Sequence, residues 1–216
     1  MKYSFPQIAF VALEHIVRPF IDFFRYWRML WLCWRFGILA GKHVSISGKV
    51  IFRTRHKGEI VLGDNVTLNS VPEYNLVGLN GPTILDTCGG GQIVIGKHSG
   101  ASSVVISSRR RVQIGDYVKI GGNVRIFDHD FHSLSSEIRR TAEDSRHARI
   151  RPIIIDDDVF IGTNAIILKG THIGARSIIA AGSVVYGLIV PPDSMVKGNP
   201  ATIKKPISVV TTESRE

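Results

Sequence analysis

Aliphatic residues recur at every sixth position over long stretches of the chain. One series runs Ile155, Ile161, Ile167, Ile173, Ile179 and Val185, an earlier one Ile114, Ile120 and Ile126, and Leu62/Leu68 and Ile95/Ala101 repeat the spacing more weakly. If about a quarter of residues are Ile, Leu or Val, six in succession is on the order of a one-in-thousands event per register. Glycine follows the aliphatic position at Gly63, Gly96, Gly115, Gly121, Gly162 and Gly174. A helix needs apolar spacings of three and four, and a strand needs spacings of two. A six-residue unit suits a short strand plus a tight corner, its aliphatic side chain turned into a narrow core. Three units make one coil, and coils stack at about 4.8 Å. One coil cannot bury its own apolar face, so the stack must be several coils deep. The pattern predicts a mainly β chain, a parallel β-helix of hexapeptide repeats over residues 42–205.

Two interruptions break the period, at about 71–91 and at 128–151. The second is strongly polar, with Asp128, His129, Asp130, His132, Glu137, Arg139, Arg140, Glu143, Asp144, Arg146 and His147. A regular wall offers little chemistry, so an excursion from it is where a site is built. Residues 1–41 differ from the rest. Phe20, Phe23, Phe24, Trp27, Leu30, Trp31 and Trp34 fall at helical spacings among Arg18, Arg25, Arg28 and Arg35. Charges interrupt this helical segment too often for a membrane span, and it lacks a signal-peptide cleavage site. Two readings stay open: a cap over the first coil, with Trp27 to Trp34 buried there or in a neighbouring subunit, or contact with a membrane interface. Residues 206–216 read as a tail.

Composition narrows the class. The net charge of +9 over 216 residues favours an anionic partner, a phosphate-bearing cofactor or acidic membrane surface. No recognition helix, zinc finger or aromatic RNA-binding pattern accompanies the basic residues, so nucleic acid is not expected. Cys33 and Cys88 form no C-x-x-C motif, which suits a reducing cytoplasm. Arg109-Arg110-Arg111 reads as a solvated corner, with a role in binding an acidic acceptor as the alternative.

The chain resembles the hexapeptide-repeat acyltransferase family, in particular its branch that O-acetylates sugars of envelope polysaccharides. The motifs that carry the resemblance are Ile114 to Val124, Phe127-Asp128-His129-Asp130-Phe131-His132-Ser133-Leu134, Val159 to Ala165, Ala181 to Val185 and Gly198-Asn199-Pro200-Ala201. The resemblance implies a left-handed β-helix, a homotrimer with sites between subunits, and acetyl-CoA as donor; no metal is expected. Acyl transfer needs the acceptor's proton removed as it attacks, and an imidazole titrating near neutrality suits that task. His132 matches the family's catalytic position, with Ser133 where proline is common, and His129 is the alternative. Asp128 and Asp130 are the candidate orienting carboxylates. The donor's path in the family points to Asn164, Ala165, Gly182 and Ser183, with Lys197, Lys204 and Lys205 for its phosphates. Two rival functions are a non-catalytic β-helix for assembly and a zinc hydratase using His129, His132 and His98.

Overall fold

The computed structural model describes residues 5–206, with side chains from Val17 to Lys204 except those of residues 18, 19 and 22. The tail beyond Pro206 and the side chains of Arg18 and Lys205 lie outside the described residues. Three sheets of seven, eight and six strands, parallel except for the last strand of the second, wrap one core. The first face runs from Leu39–Ala40 to Ile189–Val190, the second from Ser45–Ser47 to Ser194–Gly198, and the third from Val50–Arg53 to Val184–Tyr186.

Register explains the period of six. Ile114, Ile120 and Ile126 lie on the first, second and third faces of one coil. On the third face Leu85, Ile106, Ile126, Ile167 and Val185 are successive partners. Leu68, Ala101, Ile120, Ile161, Ile179 and Val196 form the matching column on the second face. All are buried. Corners between the faces use left-handed backbone, at Asn123 (φ 62°), Asn164 (φ 58°) and Gly182 (φ 69°).

The first excursion is shorter than the expected 71–91. Thr83–Asp86 returns to the wall as a strand of the third face, paired with Val50–Arg53. The excursion proper is 70–82, and 87–91 is a turn. Leu85 holds the core position of this strand, but the 70–82 insertion takes it out of the six-residue count, and the buried positions flanking it are polar: Thr83 and Thr87 are 0% exposed, and Thr87 N donates to Arg53 O at 2.9 Å. The second excursion joins Arg125–Phe127 to Ile153–Ile155 and carries a short helix, Ser136–Arg139, and a 3-10 turn, Asp144–His147.

Helix α1 (Phe5–Phe36) closes the first coil. At 100° per residue its described side chains divide into two faces. Met29, Leu32 and Cys33 join the core, and Phe36 meets Phe52 with ring centroids 6.0 Å apart. Arg28 Nη2 donates to Gly48 O at 2.7 Å, satisfying a carbonyl at the open end of the stack. On the opposite side Phe20, Phe23, Phe24, Trp27, Trp31 and Trp34 fall within an arc of about 100° and are all exposed. The helix thus covers the first coil with Met29, Leu32 and Cys33, while Trp27, Trp31 and Trp34 point away from this chain's core. At the far end Ala201–Pro206 folds back antiparallel on Ser194–Gly198, covering the last sheet edge. Among the described residues no helix is long and apolar enough to cross a membrane.

Candidate active site

The second excursion leaves the corner between the third and first faces, and its first residue fixes that corner. Asp128 is fully buried. Its carboxylate accepts from Ser108 Oγ and from the backbone N–H groups of Arg109, Arg110 and Arg111, each at 2.8 Å. Expected as a partner for a histidine, it instead locks the turn beneath the loop.

His129 follows, 3% exposed. Its Nδ1 lies 3.1 Å from Asp130 O, and its Nε2 lies 3.1 Å from Ser107 Oγ and 3.6 Å from Cys88 Sγ. A carbonyl only accepts, so the proton sits on Nδ1 and the Nε2 lone pair accepts from the Ser107 hydroxyl. The Phe131 ring packs edge-on at 4.6 Å. Burial is the largest influence on the imidazole and pushes its pKa below the ordinary histidine value; Arg109 adds to this, while the Asp130 carbonyl and the charges of Asp128 and Asp86 oppose it. A buried, neutral imidazole with one committed nitrogen and one basic nitrogen has the form of a general base.

Asp130 acts on this ring through its carbonyl. Its carboxylate is paired with Lys169, itself stacked over the Tyr186 ring at 4.7 Å. The bridge between His129 and Ile150, with Asp130 N donating to Arg149 O at 2.9 Å, ties the two arms of the excursion together.

His132 lies farther out, its side chain 69% exposed. Its Nδ1 meets Asp144 Oδ2 at 2.5 Å, and Ser133 N donates to Asp144 Oδ1 at 2.7 Å. The His132 bond first, and the Ser133 N–H second, hold the Asp144 carboxyl below its usual value. Asp144, not Asp128 or Asp130, is thus the carboxylate bonded to His132.

Below the loop on the same corner lies a cavity of about 790 Å³, whose lining includes Phe36, Phe52, Cys88, Arg109 and Phe131. The donor candidates lie elsewhere. Asn164, Ala165, Gly182 and Ser183 occupy the corner between the second and third faces, so the whole third face separates them from His129 within one chain. Asn164 and Gly182 are exposed there, whereas Ala165 and Ser183 turn inward, 0% and 1% exposed. Ser183 Oγ accepts from Gly198 N at 3.2 Å. Lys197 and Lys204 sit on the terminal hairpin. His98 stacks on Tyr117 at the corner of the first and second faces, so His98, His129 and His132 do not converge on one point.

Sequence reasoning passed over Ser107, Lys169 and Asp144 and gave Cys88 little weight. Ser107, Cys88 and Asp144 reach the histidines from 22, 41 and 12 positions away, Lys169 reaches Asp130 from 39, and no motif spacing announces such contacts.

Known proteins bear on this geometry. Residues 152–186 match the family model described as a hexapeptide repeat of succinyl-transferase. Over 65 residues the chain is 49% identical to the 2,3,4,5-tetrahydropyridine-2,6-dicarboxylate N-acetyltransferase of Clostridium perfringens, a match covering 30% of this chain and 27% of that one. It thus spans only about a quarter of the curated relatives' length. A hexapeptide-repeat-containing acetyltransferase of Vibrio cholerae is 30% identical, covering 84% of this chain and 80% of that one, with a TM-score of 0.55; a second structure of it was solved with acetyl coenzyme A. AntD, an N-acyltransferase of Bacillus cereus solved with dTDP-4-amino-4,6-dideoxyglucose and coenzyme A, shares the fold at a TM-score of 0.61 and 22% identity over 80% of this chain and 86% of that one. With the coiled wall, its register and a Vibrio relative matched over four-fifths of its length, the chain belongs to the hexapeptide-repeat acetyltransferase family.

Proposed function

We propose that the protein moves an acetyl or short acyl group from acyl-CoA to a hydroxyl or amine of a sugar acceptor, with His129 as general base. The observation that carries this reading is the His129 ring: Nδ1 is committed to the Asp130 carbonyl, and Nε2 is left basic in a buried recess beside a cavity. Nε2 takes the acceptor's proton as its oxygen or nitrogen attacks the thioester carbon; the C–S bond breaks, and the departing thiolate takes the proton. His132 is the second candidate, favoured by its bond to Asp144. Its exposure leaves no walls within the chain to exclude water or hold an acceptor.

Donor and base candidates lie on different corners of the coiled wall, which supports a homotrimer in which one copy presents Asn164 and Gly182 to the neighbour's His129. The terminal lysines Lys197 and Lys204 then meet the donor's phosphates. The exposed aromatic stripe of α1, on a chain of net charge +9, supports peripheral contact with an anionic membrane surface. Polysaccharide assembly at the cytoplasmic face is the setting that suits such a stripe.

The test is CoA release from acetyl-CoA across a panel of sugar acceptors. Substituting His129→Ala should lower turnover by about 10³-fold with the fold retained, and His132→Ala by less than about tenfold. The reverse order would make His132 the base, and full activity in both variants would remove the histidine mechanism.

A further inference from the structure

The cavity beside His129 has a charge pattern that acyl transfer alone does not require. Its walls carry Arg35, Arg53, Arg55, Lys57 and Arg109, together with His56, against one carboxylate, Asp86. Among the described residues Arg53 Nη1 lies 3.5 Å from Asp86 Oδ2, and the Arg35 guanidinium lies over the Phe36 ring, 5.4 Å from its centroid. Arg109 Nη1 donates to a neutral carbonyl, Ser145 O, at 2.5 Å.

The segment that displays these charges is held from beneath. Glu59 Oε2 accepts from Arg55 N at 3.0 Å, Thr54 Oγ1 at 2.9 Å and Thr87 Oγ1 at 2.5 Å. Desolvation pushes the Glu59 carboxyl up, but these hydrogen bonds, Thr87's first, and the charge of His56 outweigh it and hold it below its usual value. An ionised staple under residues 53–57 fixes the turn while its cations face outward, so the cluster is organised before any ligand arrives.

The cavity is also directional. Arg35 and Phe36 come from the end of α1, and the opposite limit is Cys88 and Phe131. Cys88 Sγ is 3.6 Å from His129 Nε2, and the Phe131 ring is 4.6 Å from the imidazole. An anion seated among the arginines would lie on the acceptor side of the base, on a different corner from the donor candidates. Guanidinium forks match phosphate oxygens in pairs, and a pyrophosphate diester carries two negative charges at neutral pH.

We propose that this cavity binds the pyrophosphate of a sugar-pyrophosphate acceptor, holding the sugar toward His129. The inference rests on the acyl-transfer reading and deepens it by naming the acceptor class. A soluble nucleotide sugar and a polyprenyl-pyrophosphate-linked sugar share this chemistry. The aromatic stripe of α1 lies on the helix that supplies Arg35 and Phe36 to the cavity, and so places the second source within reach.

Titration of the full chain with inorganic pyrophosphate, and separately with CoA, tests the proposal. Wild type is expected to bind both independently. Arg53→Gln/Arg55→Gln should weaken pyrophosphate at least tenfold and shift CoA affinity less than twofold, while Arg53→Lys/Arg55→Lys, keeping the charge, should retain most of the affinity. Loss of CoA binding by wild type would fail the acyl-transfer reading itself. Retained CoA binding with no pyrophosphate binding, equal binding by the glutamine variant, or displacement of pyrophosphate by CoA would overturn this inference alone. UDP-N-acetylglucosamine in solution and phosphatidylcholine vesicles carrying a polyprenyl pyrophosphate then separate the sources. Arginine-dependent binding of either supports the proposal, and binding of neither overturns it.

Discussion

Two excursions leave the same coiled wall, and they are built from opposite materials. The 70–82 loop lies along the corner between the second and third faces and is held mainly through its backbone. Asn123 Oδ1 accepts from Asn80 N at 2.8 Å, Asn123 Nδ2 donates to Gly78 O at 2.7 Å, and Ser103 Oγ donates to Gly81 O at 2.6 Å. Gly122 lets it come close, since a Cβ there would sit 2.7 Å from Val77 Cγ2. The 128–152 loop is held by carboxylates: Asp128 on the 108–111 turn, Asp130 on Lys169, Asp144 on His132. Neutral contacts suffice to lay a loop on a surface. Ionised contacts fix it to specific atoms, which is what a catalytic imidazole requires.

The comparison breaks most visibly at Asp128. Replacing Asp128→Ala strands three backbone N–H groups in a part-buried corner, while Ser108 Oγ keeps Gln92 O as acceptor at 3.1 Å. Charged hydrogen bonds of this kind are worth enough that a loss of about 3 kcal/mol is expected, a fall in Tm of roughly 6–12 °C. Thermal unfolding followed by circular dichroism measures it. A change under about 1 kcal/mol would mean the carboxylate does not anchor the loop. The neutral loop should respond less. Asn123→Gly keeps the left-handed backbone (φ 62°) and deletes both side-chain bonds, for about 1–2 kcal/mol. Turnover should stay within about threefold of wild type; a larger loss would place the 70–82 loop in the chemistry.

The same contrast explains what could be read from the chain. The coils were legible because Ile114, Ile120 and Ile126 are large, apolar and regularly placed, and each packs against its own kind one coil away. The coil at Thr83–Asp86 was obscured because the 70–82 insertion displaces its core residue, Leu85, from the six-residue count, and because the buried positions beside it, Thr83 and Thr87, carry hydroxyls. The helix was legible as a helix, but which of its stripes meets the coil was not. Met29, Leu32 and Cys33 follow the same spacing, and only the position of the first coil decides which stripe it covers. His129 and His132 stand three positions apart in one polar run. Their different settings come from Cys88, Ser107 and Asp144, contacts that exist only after the coils have stacked.

Asp144 offers a smaller and sharper test of the two histidines. Asp144→Ala removes the partner of His132 and the acceptor of Ser133 N but touches nothing bonded to His129. CoA release should fall no more than about threefold. A drop of a hundredfold or more would mean the outer pair carries the reaction, with the carboxylate stabilising an imidazolium.

The finest distinction lies in pH. A general base works in its neutral form, so activity rises as pH climbs through its pKa and levels off above it. Burial pushes His129 below the ordinary histidine value of about 6.5, against the opposing carbonyl of Asp130. The ascending limb of kcat/KM should therefore lie on the acid side of 6.5. The same displacement is linked to folding: the unfolded chain binds the proton more readily than the native one, so stability is lost as pH falls through the unfolded value and is fully present above it. The acid-shifted activity limb and the loss of stability below the unfolded value should appear together, because one buried ring drives both. A limb above 6.5, with stability flat between pH 5 and 7, would take the proton transfer away from His129 and return it to the exposed half of the loop.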